Sequence, residues 1–166
     1  MGLFCIFTEL KQGVMIIGTY ECKADAKGRV MFPTALRKQL GGDIIHENKF
    51  IIKRSVFNKC LELHPIKSWK EIMNQINKLN RFLKKNNDFI RSYMAGLKEL
   101  EIDNSGRFLI PKNLYVFGEI NKDIVLSSSV SMIEIWDKKE YEKSLKESLK
   151  DFAELVEEVM GEKSEN

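Results

Sequence analysis

Residues 25–33 read DAKGRVMFP and residues 103–111 read DNSGRFLIP, one nine-residue pattern written twice, 78 positions apart. Each copy keeps an Asp, two variable residues, Gly, Arg, three largely apolar residues and Pro. At the same offset Glu21 matches Glu99 and Leu36 matches Leu114, so the register runs past the quoted string. Self-similarity at a fixed offset marks a chain assembled from copies of one structural unit.

Upstream of each Asp the chain alternates. Tyr20, Cys22 and Ala24, or Leu100 and Ile102, take one side, while Glu21, Lys23, Glu99 and Glu101 take the other. That is the period of a strand with one buried face. Gly28 and Gly106 supply a turn, because positive φ costs glycine least. Residues 30–32 and 108–110 resume as a second strand, so the Asp-x-x-Gly-Arg stretch reads as the tip of a hairpin. Pro33 and Pro111 stand where a first helical turn tolerates a missing N–H, and a short helix is expected to stop at Gly41 or Gly118.

With looser spacing the parallel continues. Residues 50–53 answer to 124–126, and Leu61-Glu62-Leu63 to Ile133-Glu134-Ile135, all in strand alternation. Each module therefore reads β-turn-β-α-β-β and then opens a helix. The helix starts carry capping-box signatures, Ser68 with Glu71 and Asp137 with Glu140. In the first tail Trp69, Ile72, Met73, Ile76, Leu79 and Leu83 recur at helical spacing. Asn86-Asn87-Asp88 reads as a break before a second helix carrying Phe89, Ile90, Tyr93 and Met94. In the second tail Tyr141, Leu145, Leu149, Phe152, Val156 and Val159 form one apolar stripe on a single helix, expected to pack on its own module, with a subunit contact as the sharper alternative.

With 43% apolar and 31% charged residues in 166, the chain is of globular composition. Its three cysteines, Cys5, Cys22 and Cys60, are odd in number and lack CxxC spacing, which argues for reduced thiols rather than a disulfide framework or a zinc site. No apolar run approaches the roughly 18 residues of a membrane helix, and residues 3–8 lack a basic leader. Residues 1–14 fit no period and read as an N-terminal extension, with Met15 opening the first regular segment. The net charge of +3 conceals an asymmetry: residues 15–91 carry about nine excess positive charges, and residues 137–166 about four negative. The basic half is the expected polyanion surface.

Two roles compete for Asp25 with Arg29 and for Asp103 with Arg107. Each pair could simply brace its turn as a surface ion pair of little net stability. Alternatively, an exposed arginine at a hairpin tip can enter a DNA groove and pair bidentately with guanine O6 and N7, the Asp orienting it. Duplication favours the second role, because weak contacts repeated at regular spacing become avid on a repetitive duplex. Lys27 flanks the first arginine, and Arg37, Lys38 and Lys112 stand where they could contact phosphates, positioning without specifying.

DAKGRVMFP and DNSGRFLIP in tandem resemble the paired motifs of the MraZ family of bacterial transcriptional regulators, over residues 15 to about 150. The resemblance implies an α+β fold in which two tandem AbrB-like modules form an interleaved, pseudo-two-fold β-barrel with peripheral helices. It implies modules at 15–94, with a helical tail, and 95–166, with a C-terminal helix, assembly into homo-oligomeric rings, and binding to short direct repeats upstream of the division and cell-wall gene cluster. By position, the DNA-contacting motif falls on Asp25, Lys27, Gly28 and Arg29, and on Asp103, Gly106 and Arg107. Asn104-Ser105 replaces Ala26-Lys27, so the second copy lacks the first one's lysine, and Arg29 is expected to outrank Arg107.

An enzyme would need a base. His46 and His64 are the two histidines, and neither lies in the repeated motif or beside a candidate nucleophile. No phosphate-cradling GxxxxGK[ST], HExxH or GxGxxG occurs, so no cofactor, metal or small-molecule substrate is expected. A protein-binding adaptor using Trp69, Trp136 or the acidic C-terminal helix is the other alternative. The reading adopted is a cytoplasmic, nucleoid-associated regulator, not an enzyme and without a membrane partner, that binds double-stranded DNA and represses by blocking a promoter.

Overall fold

In the computed structural model of the chain, residues 15–40 and 49–161 are described. The expectations for residues 1–14, for Gly41 and for His46 lie outside them. The first half runs β1 (Thr19–Lys23), β2 (Arg29–Met31), α1 (Thr34–Gln39), β3 (Lys49–Arg54), β4 (Leu61–Pro65), α2 (Ile66–Asn77) and α3 (Lys84–Met94). The second repeats that order as β5 (Lys98–Glu101), β6 (Arg107–Leu109), α4 (Lys112–Phe117), β7 (Asp123–Ser129), β8 (Met132–Asp137), α5 (Lys138–Leu149) and α6 (Phe152–Met160).

The strands form a six-stranded antiparallel sheet, ordered β1-β7-β8-β4-β3-β5, and a separate two-stranded ribbon, β2-β6. Four ladders cross between halves: β1 with β7, β2 with β6, β3 with β5, and β4 with β8. Among the described residues only β3 with β4 and β7 with β8 form ladders within a half. Among the described residues the sheet stays open, with β1 and β5 as its edges.

This arrangement corrects the hairpin expectation. The two arms around each turn separate into different sheets, because each pairs with a strand of the other half. Between β1 and β2 only the bridge Ala24 to Val30 remains. The alternation itself holds: Ala24, Leu100 and Ile102 are buried and Tyr20 and Cys22 half-buried, while Glu21, Lys23, Glu99 and Glu101 are exposed.

The main apolar cluster joins the ribbon, the sheet and the two short helices. Val30, Phe32 and Phe108 from the ribbon segments meet Phe50, Ile52, Leu63, Leu126 and Ile135 from the sheet and Leu36 and Leu114 from the short helices. Phe32 lies between Phe50 and Phe108, with ring centroids at 5.6 and 6.0 Å.

The alternation of Leu61-Glu62-Leu63 does put Glu62 on the opposite face, but α2 and α3 cover that face and bury it. There Lys53, 2% exposed, lies 3.3 Å from Glu62 and over the Tyr93 ring, and His64 Nε2 lies 3.0 Å from the same carboxylate. Burial pulls the Glu62 carboxyl upward. The His64 hydrogen bond and the Lys53 and His64 charges outweigh it, leaving Glu62 below its ordinary value.

Several element boundaries differ from expectation. Pro65 takes the N-cap position of α2, so Ser68 lies inside the first turn and caps nothing. Asp137 does cap α5, its carboxylate accepting from the Lys139 amide at 3.2 Å. The first tail breaks at residues 78–83, where Asn80 and Arg81 carbonyls accept from the Asn86 and Asn87 side chains, and Asn86-Asn87-Asp88 are helical within α3. The second tail is two helices. Its stripe residues Leu145, Leu149, Phe152, Val156 and Val159 remain exposed rather than packed on the module. α4 stops at Gly118 as expected, although the left-handed residue is Glu119, at φ 49°.

Candidate nucleic-acid interface

Both repeated turns fold by the same local chemistry. The Asp25 amide donates to the Arg29 carbonyl at 2.9 Å and the Gly28 amide to the Asp25 carbonyl at 3.0 Å; Asp103, Arg107 and Gly106 repeat this at 2.8 and 2.9 Å. The aspartate side chain closes the loop from inside. Asp25 Oδ1 accepts from the Lys27 and Arg29 amides, both at 2.9 Å, and Asp103 Oδ1 from the Ser105 and Arg107 amides at 2.8 and 3.0 Å. Gly28 and Gly106 take φ of 83° and 80°, a region that L side chains rarely adopt.

The side chains of the two arginines differ. Arg29 Nε donates to Asp25 Oδ2 at 2.7 Å. Among the described residues the Arg107 guanidinium has no carboxylate partner. The Arg29 amide, followed by the Arg29 guanidinium and the Lys27 amide, holds the Asp25 carboxyl below the usual carboxylate range. With Nε engaged and the side chain 42% exposed, the two terminal nitrogens of Arg29 remain as donors that suit a two-acceptor partner.

The ribbon brings the two turns together. Arg29 pairs with Leu109, Val30 with Phe108 and Met31 with Arg107, while the Phe32 amide donates to the Gly106 carbonyl at 2.8 Å and the Ile110 amide to the Gly28 carbonyl at 3.0 Å. Val30 and Phe108 point into the core. Arg29 and Arg107 therefore share the ribbon's exposed face at diagonal positions, roughly 7–8 Å apart at the backbone.

The sequence-predicted cations divide around this ribbon. Lys27 and Lys112 line an open groove of about 920 Å³ beside the first turn, with Asp25, Gly28 and Tyr115. Arg37, from the first half, stands at the second turn: a Cβ on Gly106 would lie 3.8 Å from its Nη1. Its counterpart Tyr115 stands likewise 3.7 Å from such an atom on Gly28. The second turn thus has Ser105 in place of a lysine and an arginine supplied from the other repeat. Lys38 is exposed on α1 and is not among the groove residues.

Lys122 is the groove cation that sequence reasoning missed. It precedes β7, and its carbonyl accepts from the Ala24 amide at 2.8 Å, next to the first turn. No local pattern marks it, since only the pairing of β1 with β7 carries it there. His64, one of the two histidines available as a base, is buried in the Lys53–Glu62 cluster on the far side of the sheet. Among the described residues no cluster of metal-ligating side chains occurs, and no helix is long and apolar enough to cross a membrane.

Comparison with known proteins matches residues 15–92 and 94–162 to the family described as "MraZ protein, putative antitoxin-like". The chain is 60% identical over 146 residues to the "Transcriptional regulator MraZ" of Flavobacterium psychrophilum, spanning 88% of this chain and 92% of that one. It is 56% identical over 148 residues to the protein of that name from Christiangramia forsetii, spanning 89% and 94%. With the Cytophaga hutchinsonii protein it shares 32% identity over 143 residues, 86% and 93% of the two chains. Two matched repeats covering most of the sequence, and relatives aligned along nearly their whole length, establish that the chain belongs to the MraZ family.

Proposed function

We propose that this chain is a sequence-specific, DNA-binding transcriptional regulator whose turn arginines read base edges. The observation that carries the reading is the placement of Arg29 and Arg107 on one exposed face of one two-stranded ribbon, beside a lysine-lined groove. A ribbon of that width enters the major groove of B-DNA, where guanine presents O6 and N7 to a guanidinium. In this role Asp25 and Asp103 brace the turns, Gly28 and Gly106 permit them, and Lys27, Arg37, Lys38, Lys112 and Lys122 neutralise phosphates. The names of the relatives, transcriptional regulators, support the same assignment.

Sheet and ribbon act as two walls of one interleaved barrel, supported by the single core they share. Residues 15–94 and 95–166 are its two modules. The protein works in the cytoplasm on nucleoid DNA as a homo-oligomeric ring, for which the uncovered apolar face of α5 and α6 offers a contact surface. Bound to direct repeats upstream of the division and cell-wall genes, it represses by blocking the promoter.

The test is fluorescence anisotropy of the full chain on the DNA upstream of its own gene against a scrambled duplex, at low and near-physiological salt. The native fragment should be preferred at both. Arg29→Ala should lose about 1–3 kcal/mol of that preference, and Arg107→Ala should lose less, while both stay folded. Equal, salt-sensitive binding to both duplexes, or none, would instead favour an adaptor that docks other proteins.

A further inference from the structure

The exposed face of the ribbon holds four side chains, and two of them are apolar. Met31 is 51% exposed and Leu109 53%, between Arg29 and Arg107. Folding does not explain them, because Val30 and Phe108 already supply the ribbon's buried side. Nor are they loose. A Cβ on Gly106 would lie 3.5 Å from Met31 Sδ, and one on Gly28 would lie 3.9 Å from Leu109 Cδ1. Each apolar side chain therefore rests over the turn glycine of the other repeat, close to the arginine that this turn presents.

Strands in a ribbon lie about 4.8 Å apart and residues two apart along a strand are separated by about 6.8 Å. The four positions thus make a small quadrilateral, with arginines on one diagonal and apolar side chains on the other. Stacked base pairs rise 3.4 Å, so either diagonal spans about two base steps. In the major groove the one apolar group on any base edge is the C5 methyl of thymine. Cytosine instead offers an N4 amino donor, which a thioether or an isobutyl group leaves unpaired.

We propose that Met31 and Leu109 are specificity-determining residues that pack on thymine methyl groups between or beside the guanines read by Arg29 and Arg107. The inference rests on the DNA-binding reading above, and it assigns the class of duplex: thymine at the steps flanked by guanine, with cytosine disfavoured. The flanking cations, Lys27, Lys112 and Lys122 on one side and Arg37 on the other, fit a polyanion rather than another apolar surface as the occupant.

The test compares the native upstream duplex with one in which deoxyuridine replaces thymidine, which keeps the base-pairing edge and removes the methyl. The full chain is titrated as wild type, Met31→Ala, Leu109→Ala and the double variant, with thermal melts checking that these exposed truncations leave the fold intact. Wild type should bind the deoxyuridine duplex more weakly, by roughly fourfold per methyl contacted. The double variant should bind the native duplex more weakly and no longer distinguish the two. A wild type that prefers the native fragment over a scrambled one yet ignores the methyls would overturn this inference alone. So would a double variant as methyl-sensitive as wild type, including one whose sedimentation shows that the face joins two copies of the chain. A wild type with no preference for the native fragment would overturn the DNA-binding reading itself.

Discussion

Arg29 divides its donors between the protein and the space outside it. Its Nε is committed to Asp25, and its amide to the same carboxylate, so turn and side chain are oriented as one unit. The sign of the linkage follows from the depressed Asp25 carboxyl. A group whose folded pKa lies below its unfolded value contributes stability above the unfolded value, near 3.9, and loses it as pH falls through the folded pKa. The turn should therefore stay locked throughout pH 6–8. Following the Asp25 carboxyl by NMR should give a midpoint below that of an unfolded Asp, and Arg29→Ala should move it upward toward the unstructured value. Asp103, with backbone donors alone, lacks this second restraint.

At the scale of elements, the β2-β6 ribbon has three residues per strand, too few to persist by itself. Its underside holds it in place. Phe108, 2% exposed, meets Phe32 edge-on with centroids 6.0 Å apart, and Val30 is fully buried beside it. Phe108→Ala is expected to cost about 3–5 kcal/mol in urea unfolding, since it removes a buried aromatic and leaves a cavity beneath the ribbon. Leu109→Ala, one residue away on the exposed face, should change stability by no more than about 0.5 kcal/mol. Strand alternation places these neighbours on opposite faces, so one position serves the fold and the next is free to serve recognition.

At the scale of the molecule, the halves are completed by each other. β1, β2, β3 and β4 each pair with a strand of the second half, and the core cluster draws on both. A chain ending at Leu97 would keep only the β3-β4 ladder of the six in the fold, with apolar residues such as Val30, Phe32 and Leu63 facing water. Residues 15–97 expressed alone should show no cooperative thermal transition as a monomer. A sharp, concentration-independent melt would contradict the view that each half requires a partner in its ladders.

The sequence alone determined the repeat, the turns and the order of elements up to the second tail, which is two helices rather than one. Asp, Gly, Arg and Pro at fixed spacing are local devices: the aspartate bonds amides two and four residues on, and the glycine accepts positive φ, whatever surrounds them. It also determined which faces of β1 and β5 are apolar, because alternation is a property of the strand itself. Only the tertiary structure decided that the arms of each turn part company and that β2 meets β6, since a strand's partner is chosen by long-range packing rather than by its own residues. That choice put Arg29 and Arg107 on one face, drew Arg37 to the opposite repeat's turn, brought Lys122 beside Ala24, and buried Glu62 with Lys53 under helices that no strand pattern could foresee.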